Sequence, residues 1–393
     1  MLFWVCLVIV IGQAAFAVIT LRHYMALPGV PTVPRRLGMP RVSIIIPARN
    51  EAANLGRLLP SLLNLDYGSY EIIVVDDAST DATTALAGEF DAITVRSGGP
   101  PPGWTGKTYA CHLGAMAATG EWLLFTDADT EHAALSLASL LGFALDRHLD
   151  ALSVFPGHDC ASFWERVMVP FAFQQFFAGV PGADINNPRE PSALANGQYF
   201  LIRRDVYDRV GGHDAVRGSI VEDVSLAHLI KARGARYAAA RAEHLVFVRM
   251  YRGLTEIWQA FSKNSYQFLS LDPRRGFLVV VSAILAGLTP TLVSLGLKPG
   301  NDAVMMLAVY SYAFLALGLM GWDRLFRVPI WYGLLQPLSV LLFALSAIYA
   351  GARSLLGRGV VWKGRVYGRR QGASVPTDEP SRPRQRREDE NRR

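Results

Sequence analysis

The chain has 393 residues, 51% of them hydrophobic and only 18% charged. That length allows two or three domains, and the composition is too apolar for an ordinary soluble enzyme, so membrane segments are expected beside a globular part. The formal charge of +6 is modest, and much of it sits in residues 353–393. This suits attraction to a membrane surface, and without aromatic-basic interleaving or zinc-finger spacing no nucleic-acid partner is expected.

Residues 2–21 are an almost uncharged apolar run of bilayer length, followed by Arg22, His23, Arg35, Arg36 and Arg41 without a clear cleavage site. Residues 1–22 therefore read as a retained transmembrane anchor, with the following chain on the cytoplasmic side of the inner membrane. The scattered, odd set of Cys6, Cys111 and Cys160 gives no disulfide framework, in keeping with that compartment. Residues 23–40, carrying Pro28, Pro31, Pro34 and Pro40, form a stiff linker.

A buried strand at 42–46 stops at Pro47-Ala48-Arg49-Asn50-Glu51, and a helix follows through Leu55, Leu58, Leu59, Leu62 and Leu63. A second strand, 72–75, ends in Asp76-Asp77. Strand, helix, strand with acids at the tips opens an α/β domain built on a mostly parallel sheet with helices on both faces. A short strand at 93–95 precedes a Gly/Pro loop, 98–106, that leads into Lys107 and a helix to Ala118. Residues 122–125 are again a short apolar strand, ending in Thr126-Asp127-Ala128-Asp129. An isolated D-x-D is commonly a solvated turn. At the carboxyl end of a sheet strand, two acids one residue apart also make a hard oxygen site for Mg²⁺ or Mn²⁺ carrying a substrate's phosphates. No dinucleotide or P-loop glycine motif occurs at these strand ends.

A helix at 133–145 and a strand at 151–155 follow. The aromatic-rich helix at 163–177 suits a core position or an interfacial one that brings a lipid acceptor to the site. Asn196-Gly197-Gln198 precedes a strand at 199–202, and a helix opening at 220–226 carries Glu222-Asp223 in its first turn, where acids are ordinarily dipole-compensating. An amphipathic helix from Gly253 carries Trp258, Phe261 and Lys263. Three apolar runs come next, 277–297, 303–321 and 328–350, and then a basic tail expected to be disordered over 373–393. If all three runs spanned, the tail would lie opposite the 42–270 domain, against the positive-inside bias, so one run, 277–297 being the first choice, is expected to lie in the interface or re-enter.

The segments IIIPARNE, VVDDASTD, PPGWTGKTYA, TDAD, SFWER, ANGQYFLIRRD, GGHDAVRGSIVEDV and FSKN together resemble the membrane-bound members of glycosyltransferase family 2, the inverting GT-A enzymes, and among these the bacterial glucosyltransferases of carotenoids and hopanoid-associated lipids. The resemblance covers about residues 40–270, and the hydrophobic layout extends it to about 367. It implies an anchor at 1–22, a linker at 23–40, a GT-A domain at 41–270, two or three membrane helices within 276–352, and a basic, largely disordered tail at 353–393. It implies a UDP-sugar donor and a polyisoprenoid lipid acceptor, with a divalent metal, Mg²⁺ or Mn²⁺, as cofactor. Pro47, Asn50, Glu51, Asp76 and Asp77 then hold the nucleoside, Lys107 offers a cation to the diphosphate, and Asp127 and Asp129 hold the metal, Asp127 also facing the nucleotide sugar. Asp223 is the general base, supported by Glu222. Processive members carry a Q-x-x-R-W motif after the base, which this chain lacks; Trp104, Asn196, Arg249, Arg252 and Lys263 are the remaining contacts expected for the diphosphate or acceptor. The absent motif favours a single transfer to a lipid. The same chemistry on ceramide, diacylglycerol or polyprenyl phosphate is one alternative, and a catalytically silent scaffold that binds nucleotide sugar is another.

Overall fold

An uninterrupted apolar run is stable as a strand only where both of its faces are covered. In the computed structural model of the chain, which describes residues 2–179, 181–271, 273–294, 302–362, 365–368 and 371–376, β1 (Val42–Ala48) is such a strand, buried at every position but Pro47. It follows the long apolar helix α1 (Leu2–Met25) and is succeeded by α2 (Ala52–Leu63), β2 (Tyr70–Asp77), α3 (Thr83–Glu89), β3 (Ile93–Ser97), α4 (Gly106–Ala117) and β4 (Trp122–Phe125). β2 and β4 flank β1 and β3 lies beyond β2, all parallel.

The second half comprises β5 (Thr130–His132), α5 (Ser136–Asp146), β6 (Ala151–His158), α6 (Phe163–Phe176), the single turn α7 (Gly182–Ile185), β7 (Phe200–Arg203), α8 (Arg204–Val210), α9 (Glu222–Ala232) and β8 (Tyr237–Val248). β7 runs antiparallel between β4 and β6, β8 is parallel to β6, and β5 closes the edge antiparallel to β8. The sheet is therefore mixed, in the order β3-β2-β1-β4-β7-β6-β8-β5. The 12-residue β8 has no counterpart in the sequence reading. Its Ala238-Ala239-Ala240 core lacks the β-branched residues that announce a strand.

Alternation along the strands separates two cores. Ile44, Ile46, Val74, Leu124 and Leu201 pack with Leu55 and Leu58 of α2 and with Leu137 and Leu141 of α5. Ile45, Val75, Leu123, Phe125 and Ile202 face the other way, toward Ala110 of α4, Val167 of α6 and Leu226 of α9. This second core does not stop at the sheet domain: it runs on into Trp322, Phe326 and Val340 of the C-terminal apolar segments.

Those segments are α10 (Leu254–Leu271), α11 (Pro273–Ser294), α12 (Asp302–Leu325) and α13 (Gln336–Leu355), followed by an antiparallel sheet of β9 (Val360–Trp362), β10 (Arg365–Gly368) and β11 (Gln371–Pro376). The tail thus forms a strand that takes in 373–376, where disorder was expected; Val360, Val361, Trp362, Val366, Tyr367 and Val375 supply the β-formers of this sheet. Residues 377–393, the remainder of the expected disordered stretch, lie outside the described residues, as do 295–301 at the end of the first apolar run. Among the described residues, Phe3–Met25, Asp302–Leu325 and Ile330–Leu355 are long and apolar enough to cross a membrane.

α1 and α12 lie side by side and parallel. Ser311 Oγ donates to Gln13 Oε1, Trp322 Nε1 donates to Thr20 Oγ1, and Gly318 and Gly321 sit against Ala17 and Leu21. α6 joins this assembly to the sheet domain. Phe173 meets Phe326 at 5.0 Å between ring centroids, and Ser339 Oγ donates to the Val167 carbonyl at 2.9 Å. The aromatic helix is therefore a core helix that is also the contact between sheet and apolar helices.

Gly120, which leads into β4, packs on backbone: a Cβ there would meet Ser43 N at 2.6 Å and Val42 C at 2.9 Å. Neither atom can move without disturbing β1. Gly120→Ala is expected to destabilise the chain by about 1–3 kcal/mol, read as a lower thermal midpoint in detergent; an unchanged midpoint would refute the tight approach.

Candidate active site

The parallel register brings the carboxyl ends of β1, β2 and β4 to one edge of the sheet, where open α/β sheets bind ligands. Because β7 is antiparallel and Phe125 pairs with Phe200, the Asn196-Gly197-Gln198 turn that precedes β7 comes to the same edge. So does Arg249-Met250-Tyr251-Arg252, which follows β8.

The Asp127-Ala128-Asp129 turn is tied from below. Thr126 Oγ1 donates to the Gln198 carbonyl at 2.7 Å, Thr130 Oγ1 donates to the Asp127 carbonyl at 2.8 Å, and Arg249 N donates to the Asp129 carbonyl at 3.2 Å. Lys107 is set by the start of α4. Thr105 and Thr108 form a reciprocal capping box there, and Thr108 Oγ1 also donates to the Arg217 carbonyl at 2.7 Å. Glu222 and Asp223 occupy the first turn of α9, whose N-cap Val221 provides no side-chain cap.

These three elements converge on one ammonium. Lys107 Nζ lies 2.8 Å from Asp127 Oδ1 and 2.8 Å from Glu222 Oε1. Asp223 is locked beside them, accepting from Gly197 N at 2.7 Å and Val224 N at 2.8 Å. Burial, and after it the neighbouring Glu222, pushes the Asp223 carboxyl up to about 6, with Lys107 and the two backbone donors pulling the other way. Burial opposes the charge on Lys107, but Asp127, Glu222 and Asp223 together outweigh it and hold the ammonium well above its ordinary range. His213 also borders the cluster, and burial drives it down to about 3, so it stands as a neutral imidazole, bonded to Tyr207 at 2.9 Å.

A cleft of about 580 Å³ opens beside the cluster. Pro47, Asn50, Glu51 and Asp77 line one side, Lys107, Asp127 and Asp129 the floor, and Arg249, Arg252 and Lys263 the far wall. Asn50 adopts φ +55°, and its Oδ1 accepts from Thr80 N at 2.8 Å, which clamps the β1 and β2 tips together. The Arg249 guanidinium is held by the buried Glu165 at 3.2 Å, and Arg252 donates to Asn54 Oδ1 at 2.9 Å.

Three expected contacts fall elsewhere. Asp76 turns into its own loop, accepting from Ser79 N and Thr84 Oγ1. Trp104 is buried against Tyr109 and His112. The Asn196 side chain bonds Gln198 and shapes the turn. Arg49, Gln198, Tyr251, Glu256 and Gln259 line the cleft although the sequence reading did not select them. Arg49 lies within the IIIPARNE stretch and Gln198 within ANGQYFLIRRD; for Tyr251, Glu256 and Gln259 only the β8 and α10 geometry supplies the signal.

Among the described residues no three His, Cys, Asp or Glu side chains gather as a ready-made metal group. The pair Asp127 and Asp129 fits a hard cation of a particular kind, one that keeps water and takes its other ligands from a substrate's phosphates.

Residues 43–211 match the family model described as Glycosyl transferase family 2. A 4,4'-diaponeurosporenoate glycosyltransferase of Staphylococcus haemolyticus is 28% identical over 232 residues, covering 57% of this chain and 60% of that protein. The Staphylococcus aureus protein of the same name is 27% identical over 227 residues, with the same shares. The chain thus matches about three-fifths of the length of these curated relatives. Among solved structures, a mannosyltransferase from Pyrobaculum calidifontis in complex with GDP-Man and Mn²⁺ superposes with a TM-score of 0.52 at 18% identity, covering 89% of this chain and 99% of that one; at that identity the likeness concerns the fold. The 43–211 domain therefore matches glycosyltransferase family 2, and the curated relatives point to the same family.

Proposed function

We propose that this protein transfers a sugar, with glucose as the first choice, from a UDP-sugar to a hydroxyl of a carotenoid or other polyisoprenoid dissolved in the membrane, in one displacement with inversion. The observation that carries the reading is the convergence of Asp127, Glu222 and Asp223 on Lys107. It sits in a cleft whose far wall, α10, backs onto the apolar helices, with Phe261 against Phe343.

In this reading Pro47, Asn50, Glu51 and Asp77 seat the nucleoside, and Lys107, with Arg249, Arg252 or Lys263, faces the diphosphate. Asp127 and Asp129 would hold Mg²⁺ or Mn²⁺, which when bound offsets charge on the departing diphosphate. Asp223 takes the proton of the acceptor hydroxyl as its oxygen attacks the anomeric carbon from the face opposite the phosphate. Its raised proton affinity makes it a stronger base than an ordinary aspartate while leaving it ionised at neutral pH. Glu222 holds Lys107 and keeps the local potential negative. A silent scaffold would have no need to keep this costly buried cluster together.

The relatives' name specifies an acid as acceptor, which suggests a second reading: transfer to a carboxylate. The two readings separate on the base, because a carboxylate is already ionised at neutral pH and needs no proton removed. Membranes containing the protein, Mg²⁺ and radiolabelled UDP-glucose are expected to put label into the lipid phase. Asp223→Asn should lower that transfer about 10²–10⁴-fold while still binding UDP-glucose. Full transfer by Asp223→Asn would remove Asp223 as base and favour the carboxylate acceptor.

The sign of the pH response follows from the same residue. The base form of Asp223 is lost as pH falls through about 6, so transfer should hold steady above that value and fall about tenfold per pH unit below it. A rate that is flat from pH 7 to pH 5 would count against the assignment.

The contact register also supports a membrane topology. After α12 reaches the sheet domain at Phe326, the chain turns back along it. Val328 N bonds Asp323 O, Gly333 packs on Ala316 and Met320, and Tyr312 Oη donates to Leu334 O. α13 starts there, with Val340 against Gly287 of α11, and returns to the catalytic side, where Tyr349 meets Trp258 and Ala350 clusters with Tyr266 and Val360. We infer that α1, α11 and α12 cross and that the 326–355 segment is the re-entrant one, rather than 277–297. The basic tail then stays on the catalytic side, as the positive-inside bias requires. A C-terminal tag should be cut by protease in inverted inner-membrane vesicles and protected in right-side-out ones; the reverse pattern would overturn this topology.

A further inference from the structure

The contact between Lys107 and Asp127 has a consequence for how a metal can enter. Lys107 Nζ is 2.8 Å from Asp127 Oδ1, on the carboxylate that would have to receive a divalent cation. The same nitrogen is held at 2.8 Å by Glu222, whose side chain is only 7% exposed. Gly197 leaves room for the ammonium on the third side: a Cβ there would lie 2.8 Å from it. One monovalent cation is therefore already seated where carboxylates from the β4 tip and from α9 meet.

We propose, building on the donor-site reading above, that Lys107 is a built-in placeholder cation. It occupies Asp127 while no donor is bound, disfavours capture of a free divalent ion, and yields the carboxylate only to a metal that arrives with a nucleoside diphosphate. Two cations at one carboxylate repel, and a partly buried site screens that repulsion less than open water does. A bare metal ion must overcome the repulsion or expel the ammonium from Asp127 with no new acceptor offered in exchange, leaving it to Glu222 alone. A metal–diphosphate complex meets a different situation. Its phosphate oxygens offer Lys107 charge-assisted hydrogen bonds in exchange for the one it gives up on Asp127, while Glu222 keeps its own hold on the ammonium. The cluster thus selects the loaded form of the cofactor, and donor binding precedes assembly of the metal centre.

Mn²⁺ binding to the full-length protein in detergent, followed by the electron paramagnetic resonance signal of free Mn²⁺ with and without UDP, tests this without turnover. Wild type is expected to bind Mn²⁺ weakly alone and at least about tenfold more tightly with UDP. Lys107→Gln should bind Mn²⁺ alone at least about tenfold more tightly than wild type, and its gain on adding UDP should shrink. Lys107→Arg, which keeps the cation, should restore weak binding of Mn²⁺ alone. Because Lys107→Gln could disturb folding, UDP binding by that variant is measured in parallel. If Lys107→Gln binds UDP but takes up bare Mn²⁺ no better than wild type, the placeholder role is overturned and the donor site stands. If neither wild type nor Lys107→Arg takes up Mn²⁺ even with UDP, the donor-site reading fails and the placeholder with it.

Discussion

Carboxylates from separate parts of the chain meet at one sheet edge, and a single ammonium compensates them. Asp127 comes from the tip of β4 and Glu222 and Asp223 from the first turn of α9, while Lys107 reaches in from the start of α4. Acids placed this closely and this deeply would repel one another and lose their solvation. Much of the surrounding architecture serves to hold the compensating cation in place. The capping box of α4 fixes the helix start that carries it, the Thr105 and Thr108 bonds to the Arg217 carbonyl tie that start to the loop before α9, and Gly197, having no side chain, lets its backbone approach the cluster. In the proposed function, local stability is given up at this site so that charge can be moved when a substrate arrives.

The reversal of β7 is what makes the site possible. With a fully parallel sheet, the chain entering the strand beside β4 would begin at the opposite edge, and the Asn196-Gly197-Gln198 turn would lie far from Asp127. The antiparallel pairing of Phe125 with Phe200 puts the end of one strand beside the start of the next. The Gln198 carbonyl can then hold Thr126, and Gly197 N can hold Asp223. A mixed sheet thus supplies the two things the chemistry asks for at one edge: acids at the ends of parallel strands and a backbone donor at the beginning of an antiparallel one.

The first half of this fold was legible because its signals are local. The β1, β2 and β4 runs are apolar and β-branched or aromatic, each stops at acids or proline, and each was placed within a residue or two from the sequence. The D-x-D turn and Lys107 were legible because residue type and position relative to a strand or helix end already carry chemical meaning. What stayed hidden depends on pairing across distance. Nothing in Asp76 and Asp77 tells which one faces the cleft; the Ser79 and Thr84 bonds to Asp76 decide it. Asn196 and Trp104 have the right residue types for a ligand, and they are taken up by Gln198 and by Tyr109 and His112 instead. β8 was invisible because the part paired with β6 is the alanine run Ala238-Ala239-Ala240, and small side chains carry little propensity signal.

α10 is where the soluble chemistry and the apolar helices become one structure. Its Glu256, Gln259 and Lys263 line the cleft, while Trp258 and Phe261 lie against Tyr349 and Phe343 of α13. A helix of this kind separates two solvents, and the sequence shows it as amphipathicity with charges on one side and aromatics on the other. The core on the α6 side continues without a break into Trp322 and Phe326, so the sheet domain cannot tilt away from the apolar helices without exposing aromatic rings. That rigidity suits the proposed acceptor, one that comes to the site along the apolar helices. A rigid seam leaves a water-soluble acceptor no special advantage, whereas a lipid acceptor must have its reactive end delivered to one fixed depth. Asp223 sits on the sheet side of that seam, within the same continuous packing, at a position the rigid seam can hold constant.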